Sequence, residues 1–229
     1  MKTSHRRLAL LTGGSVTALG LTMVAATPAY AACTFTGGNT LVCTNTTTFD
    51  TTGVGPTDRN YVYTGAGTGT VGTGVVVNGF GLAMTDAGAG TSLAFTNNGT
   101  IQVDAGTPTQ GGNGALSLTA LTGPVTYTGT GDILNLGNGV GLDVNLSGTA
   151  SFTGTVGGNV TSGLGGSGIE VFHTGTAGNM AVTTTAGKTI QSDFVGIFLN
   201  STGAYTGTET ITNNAAIASR TGFPNTLDY

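Results

Sequence analysis

A short turn of small or polar residues, closed by a β-branched aliphatic, returns again and again along this chain. Its clearest copies are Asn97-Asn98-Gly99-Thr100-Ile101 and Asn213-Asn214-Ala215-Ala216-Ile217, with looser ones ending at Ile133, Val160 and Ile190. The closing aliphatics at 101, 133, 160, 190 and 217 lie 32, 27, 30 and 27 residues apart by subtraction, a period near 29. A fixed period of this length marks a unit that cannot bury its apolar face alone and does so against the next copy. A second mark, glycine followed by an aliphatic, recurs at Gly81-Leu82, Gly114-Ala115-Leu116, Gly141-Leu142, Gly168-Ile169 and Gly196-Ile197. Between the marks lie alternating segments such as Ser92–Thr96, Val125–Thr128 and Met180–Thr183, apolar on one side and Thr or Ser on the other. No helical periodicity is present beyond the first 31 residues. The expected fold is therefore all-β, a right-handed parallel β-helix of about five coils, each stacked about 4.8 Å above the last. A sandwich of antiparallel hairpins is the competing all-β architecture, but it does not require one motif at a fixed period.

The N-terminus reads as an export signal. Lys2, His5, Arg6 and Arg7 form a basic head, a mostly apolar run follows, and Ala29-Tyr30-Ala31 offers small residues for cleavage between Ala31 and Ala32. Thr12, Gly13, Gly14, Ser15 and Thr17 interrupt the apolar run, which argues against a retained anchor. The chain thus divides into a signal peptide (1–31), an N-terminal cap with a degenerate first coil (32–74) and β-helix repeats (75–229). Directly after the cleavage site comes the cysteine pair, Cys33 and Cys43. Folding this segment about Gly38 sets Thr36 against Thr40, Phe35 against Leu41, Thr34 against Val42, and Cys33 against Cys43. An exported chain meets an oxidising compartment, so a disulfide across the hairpin is expected. Two unlinked thiols remain the alternative.

Beyond residue 31 the ten acidic residues face three basic ones, Arg59, Lys188 and Arg220, a formal charge of −7 by subtraction. That balance excludes nucleic acid and argues against an anionic membrane surface as partner. Forty-two glycines, abundant Thr and Asn, and 7% charged residues suit short strands and tight turns, while 38% hydrophobic residues speak against disorder. Candidate chemistry is sparse. A Ser-His-Asp arrangement could be drawn through His173, whose neighbours Phe172 and Thr174 suit an ordinary strand equally well. Asp143 and Glu170 each follow the aliphatic of the second mark, so a regular stack places them one above the other, by default in solvent and alternatively sharing Ca²⁺. Gly163-Leu164-Gly165-Gly166-Ser167-Gly168 fits a dinucleotide-type glycine pattern, but glycine is so frequent here that one match arises by chance, and it reads as a corner. Asn98, Asn145, Asn159 and Asn200 open glycosylation triplets and are read as ladder residues. No catalytic residue, cofactor site or metal site is assigned.

The Ala29-Tyr30-Ala31 site, the Cys33–Cys43 hairpin behind it and the recurring Gly-Ile and Asn-Asn-Gly-Thr-Ile marks together resemble the N-terminal passenger region of bacterial autotransporters, the type V secreted β-helix proteins. The resemblance covers the chain beyond residue 31. It implies a surface-exposed or secreted rod with a structural and adhesive role, held at the outer membrane by a C-terminal barrel. Implied partners are glycans or proteins on host or neighbouring cells, or further copies of the chain. Residues 218–229 show no barrel strands, so the sequence is expected to be a fragment or truncated frame of a longer protein, or a freely secreted relative. The alternative from another class is a carbohydrate-active β-helix enzyme, a polysaccharide lyase or hydrolase using Asp143, Glu170 and their neighbours.

Overall fold

The structure is a computed structural model that describes residues 33–44, 47–48, 60–105 and 114–220. The expected cleavage site at Ala31 and Ala32, and Arg59, lie outside these residues. The chain opens with an antiparallel hairpin, β1 (Thr34–Thr36) and β2 (Thr40–Cys43), and β3 (Thr47–Thr48) and β4 (Asn60–Tyr63) complete a first turn. Three further turns follow: β5 (Ala66–Val71), β6 (Val76–Asn78) and β7 (Leu82–Asp86); β8 (Ser92–Asn97), β9 (Thr100–Val103) and β10 (Gly114–Ala120); β11 (Pro124–Gly129), β12 (Asp132–Asn135) and β13 (Val140–Leu146). Then come β14 (Ser151–Val156), β15 (Val160–Thr161) and β16 (Ile169–His173), followed by β17 (Met180–Thr184), β18 (Thr189–Ser192) and β19 (Ile197–Ser201). A last partial turn holds β20 (Glu209–Thr212) and β21 (Ala216–Ser219).

Every third strand pairs in parallel with its predecessor, which generates three sheets along one axis. Sheet A runs β1-β2-β5-β8-β11-β14-β17-β20, sheet B carries β3 to β21 in steps of three, and sheet C carries β4 to β19 in the same way. The molecule is thus a parallel β-helix of about six turns, with no helix among the described residues. That is one turn more than the interval count implies, because the segment before Val75 already coils: β5 pairs with β2 on one side and β8 on the other.

The sequence marks become interior files. The turn-closing aliphatics form one file on sheet B, Val77 on Ile101 on Ile133 on Val160 on Ile190 on Ile217. The glycine-led aliphatics form another on sheet C, Leu82 on Leu116 on Leu142 on Ile169 on Ile197. The alternating segments supply sheet A, whose inward residues include Leu93, Phe95, Val125, Tyr127 and Phe152, each at most 1% exposed. At the N-terminal end the hairpin has the register expected from its sequence, Thr34 to Val42, Phe35 to Leu41 and Thr36 to Thr40, and Cys33 is disulfide-bonded to Cys43. The hairpin therefore caps the stack, β1 forming the antiparallel edge of sheet A and β2 beginning its parallel pairing.

On the outward side of sheet A the register builds two parallel files. One runs Val42, Thr70, Thr96, Thr128, Thr155, Thr183, Thr212. The other, two residues earlier on each strand, runs Thr40, Thr68, Ala94, Thr126, Thr153, Ala181, Thr210.

Candidate functional site

Asp143 and Glu170 stand opposite each other on neighbouring strands β13 and β16, as their place in the repeat predicts. The expectation that both reach solvent is corrected for Asp143, which is 3% exposed. Its Oδ2 accepts hydrogen bonds from Ser117 Oγ at 3.3 Å and Asn145 Nδ2 at 2.9 Å, so the outer face of sheet C is itself partly buried here. Glu170 is half-buried. Its carboxyl is pushed above the usual value of 4.5, chiefly by burial and further by the charge of Asp143, against a hydrogen bond from Ser167 that favours the ionised form. Among the described residues no group of three or more His, Cys, Asp or Glu comes together as a metal site.

His173 is completely buried at the end of β16. Its Nδ1 accepts from the backbone N–H of Gly175 at 2.8 Å, and its Nε2 lies 2.9 Å from the carbonyl oxygen of Ala150. A carbonyl only accepts, so these partners assign a neutral ring with its proton on Nε2. Tyr205 closes over it with ring centroids 5.1 Å apart. Both nitrogens are occupied by backbone, which makes the residue an internal brace for the Gly175 corner.

A second polar constellation lies where sheet A turns into sheet B, at the recurring Asn-Asn-Gly corner. Two residues, Asn98 and Gly99, link β8 to β9, and two, Thr130 and Gly131, link β11 to β12. Four residues (72–75) link β5 to β6, and four (185–188) link β17 to β18. The short corners form a floor and the long ones rise on either side, leaving a groove of about 270 Å³ lined by Asn98, Thr130, Asp132, Asn159 and Lys188 among others. Asp132 Oδ1 accepts from the backbone N–H of Asn159 at 2.8 Å and from its Nδ2 at 3.1 Å, while Asn159 Oδ1 accepts from the Thr189 N–H at 3.1 Å. Asn98 Oδ1 takes the Thr130 hydroxyl at 3.4 Å. Asp132, Asn159 and Asn98 thus bond from turn to turn rather than within a compact catalytic cluster. Arg220, at the other end of sheet B, donates to the carbonyls of Ser162 at 2.7 Å and Asn135 at 3.4 Å. The two four-residue spacers that wall the groove are present in the sequence, but only the register between turns shows that they bracket the two-residue corners 98–99 and 130–131 and the three-residue corner 157–159.

Asn98 and Asn159 bond from turn to turn as ladder residues do, whereas Asn145 bonds within its own strand to Asp143, and Gly163–Gly168 lies in the corner between β15 and β16. No protein-family model, no curated protein and no solved structure matches this chain.

Proposed function

We propose that the chain is a β-helical passenger, exported through the inner membrane and displayed at the cell surface or secreted, with a structural and adhesive role. The observation that carries this reading is the register itself. The same outward positions recur turn after turn on all three sheets, so the protein offers long, stiff, uncharged or weakly acidic faces rather than one enclosed pocket. Its partners are glycans or proteins of a host or neighbouring cell, or other copies of the chain. The Cys33–Cys43 bond accords with an oxidising compartment. Expression of the full chain in a Gram-negative host tests the route: N-terminal sequencing should find Ala32 first, and thiol labelling should find both cysteines oxidised. Beads coated with that exported chain should then be retained on cell monolayers more than uncoated beads. A chain that keeps residues 1–31 and stays in the cytoplasm, or beads that adhere no better than bare ones, would overturn the reading.

The second reading is a carbohydrate-active enzyme, and the raised proton affinity of Glu170 beside Asp143 favours it. Asp143 is buried and held by Ser117 and Asn145, which opposes a direct role on substrate. Turnover of a polysaccharide that disappears in both Asp143→Asn and Glu170→Gln would establish this reading over the adhesive one.

A further inference from the structure

We infer that the outward face of sheet A binds ice. The two files described above hold threonine at six of seven and five of seven positions, eleven of fourteen in all, and the exceptions are Val42 in the first and Ala94 and Ala181 in the second. Neighbours along a file are one turn apart, about 4.8 Å, and the two files are two residues apart on each strand, about 6.6 Å. Those two lengths, at right angles, are close to the two oxygen–oxygen repeats of the prism face of hexagonal ice. The register continues from β2 to β20 without a bulge, so the array extends over six steps, about 29 Å.

The side-chain chemistry fits the same occupant. Threonine is β-branched and stiff at χ1, so a file of threonines on a regular strand presents its hydroxyls and methyls in repeated orientation with little entropy left to lose. Methyls order the adjacent water and hydroxyls anchor it, and neither alone is strong. Within the array, Thr68 Oγ1 donates to Thr40 Oγ1 at 3.2 Å and Thr126 Oγ1 to the Leu93 carbonyl at 3.5 Å. A net charge of −4 for the whole chain contrasts with two files that carry no charged side chain at all. A soluble protein partner would call for the aromatic and arginine anchors of ordinary interfaces, and these files have none. A small solute could use only a few of eleven equivalent threonines. The partner that can use them all is an uncharged lattice with the same two periods.

Goodness of fit to ice is tested on the full exported chain by partition into a slowly growing ice hemisphere and by inhibition of ice recrystallisation. Thr128→Tyr and Thr155→Tyr place a large ring at the centre of the array, at exposed positions that leave the interior untouched. Gln191→Tyr puts the same ring on sheet B as a control. The wild type and the Gln191 variant should enrich in ice, and both threonine variants should fall to the level of a non-binding protein while keeping the wild-type circular dichroism spectrum and thermal midpoint. Exclusion of the wild type from ice overturns the inference, as does unchanged activity in the threonine variants. Retention of the wild type on crystalline cellulose with loss in those variants would assign the face to a polysaccharide lattice instead. A wild-type dimer in sedimentation, broken by the same variants without ice enrichment, would assign it to a second copy. The adhesive role is judged separately by bead retention, so either can fail alone.

Discussion

At the residue scale, glycine in the short A-to-B corners is there for contact and not for dihedral freedom, whereas Gly74 and Gly187 in the two long corners have φ of +74° and +76° with open space where a Cβ would go. A Cβ on Gly131 would lie 2.1 Å from the carbonyl oxygen of Gly99, and one on Gly158 would lie 1.9 Å from that of Gly131. Successive turns touch backbone to backbone at this corner, so a methyl must push two turns apart. Gly131→Ala should cost on the order of 1–3 kcal/mol by overpacking, whereas Gly72→Ala, whose Cβ would meet only ordinary contacts from 3.4 Å, should be close to neutral in urea denaturation. Asparagine also departs from the simplest expectation. Among the described residues every left-handed φ belongs to glycine, and corner asparagines work through side-chain bonds such as Asn97 Oδ1 to the Gly99 N–H at 3.2 Å. Glu170 supplies a pH dependence of defined sign. Its folded carboxyl holds a proton above the usual 4.5, so it favours the folded state below that value and this contribution is lost as pH rises through the raised one. Glu170→Gln should therefore raise the thermal midpoint at pH 7, leave it unchanged well below pH 4.5, and flatten the slope between. An unchanged slope would show that burial and the charge of Asp143 do not raise the proton affinity of Glu170 in the folded chain.

At the scale of the strand, periodicity carried most of the information. The two marks and the alternating segment between them land on sheets B, C and A in order, because a stack aligns whatever repeats. The hairpin register was equally legible, since its turn residues and two-residue alternation admit one pairing. Interior volume was not. Gly69 faces Phe95 in the sheet A interior, and a Cβ there would approach the Phe95 ring to 2.3 Å, so a large ring on one turn is offset by a missing side chain on the next. Such compensation is a property of neighbours about 26 residues apart and leaves no local trace; Phe95 and Tyr127, ring on ring at 6.3 Å, are the other half of it. Burial also grades along each file. Ile133 is completely buried between Ile101 and Val160, while Ile217 on the last turn is only partly covered. Ile133→Ala should cost about 2–5 kcal/mol and Ile217→Ala markedly less, as read from chemical denaturation midpoints. Equal losses would contradict the graded stack.

For the whole molecule, the described turns stack into a rod whose length is the number of turns times the strand spacing. The candidate site was legible in part: the Asp143 to Glu170 alignment follows from the period, but the burial of Asp143 depends on Ser117 and Asn145 in adjoining positions of the sheet and on how the outer face is covered. The corner groove was not legible, because it is made of differences in spacer length between turns and not of any motif. Everything proposed for the faces rests on the register of successive turns. Distances between spin labels measure that directly. With one label at Thr70 and a second at Thr155, Thr183 or Thr212, the partners lie three, four and five turns along the same file. The backbone separations should be about 14, 19 and 24 Å, rising by one strand spacing at each step. Distances that fail to increase in order, or that shorten between alternate pairs as in an antiparallel sandwich, would contradict the stacked register and with it the faces.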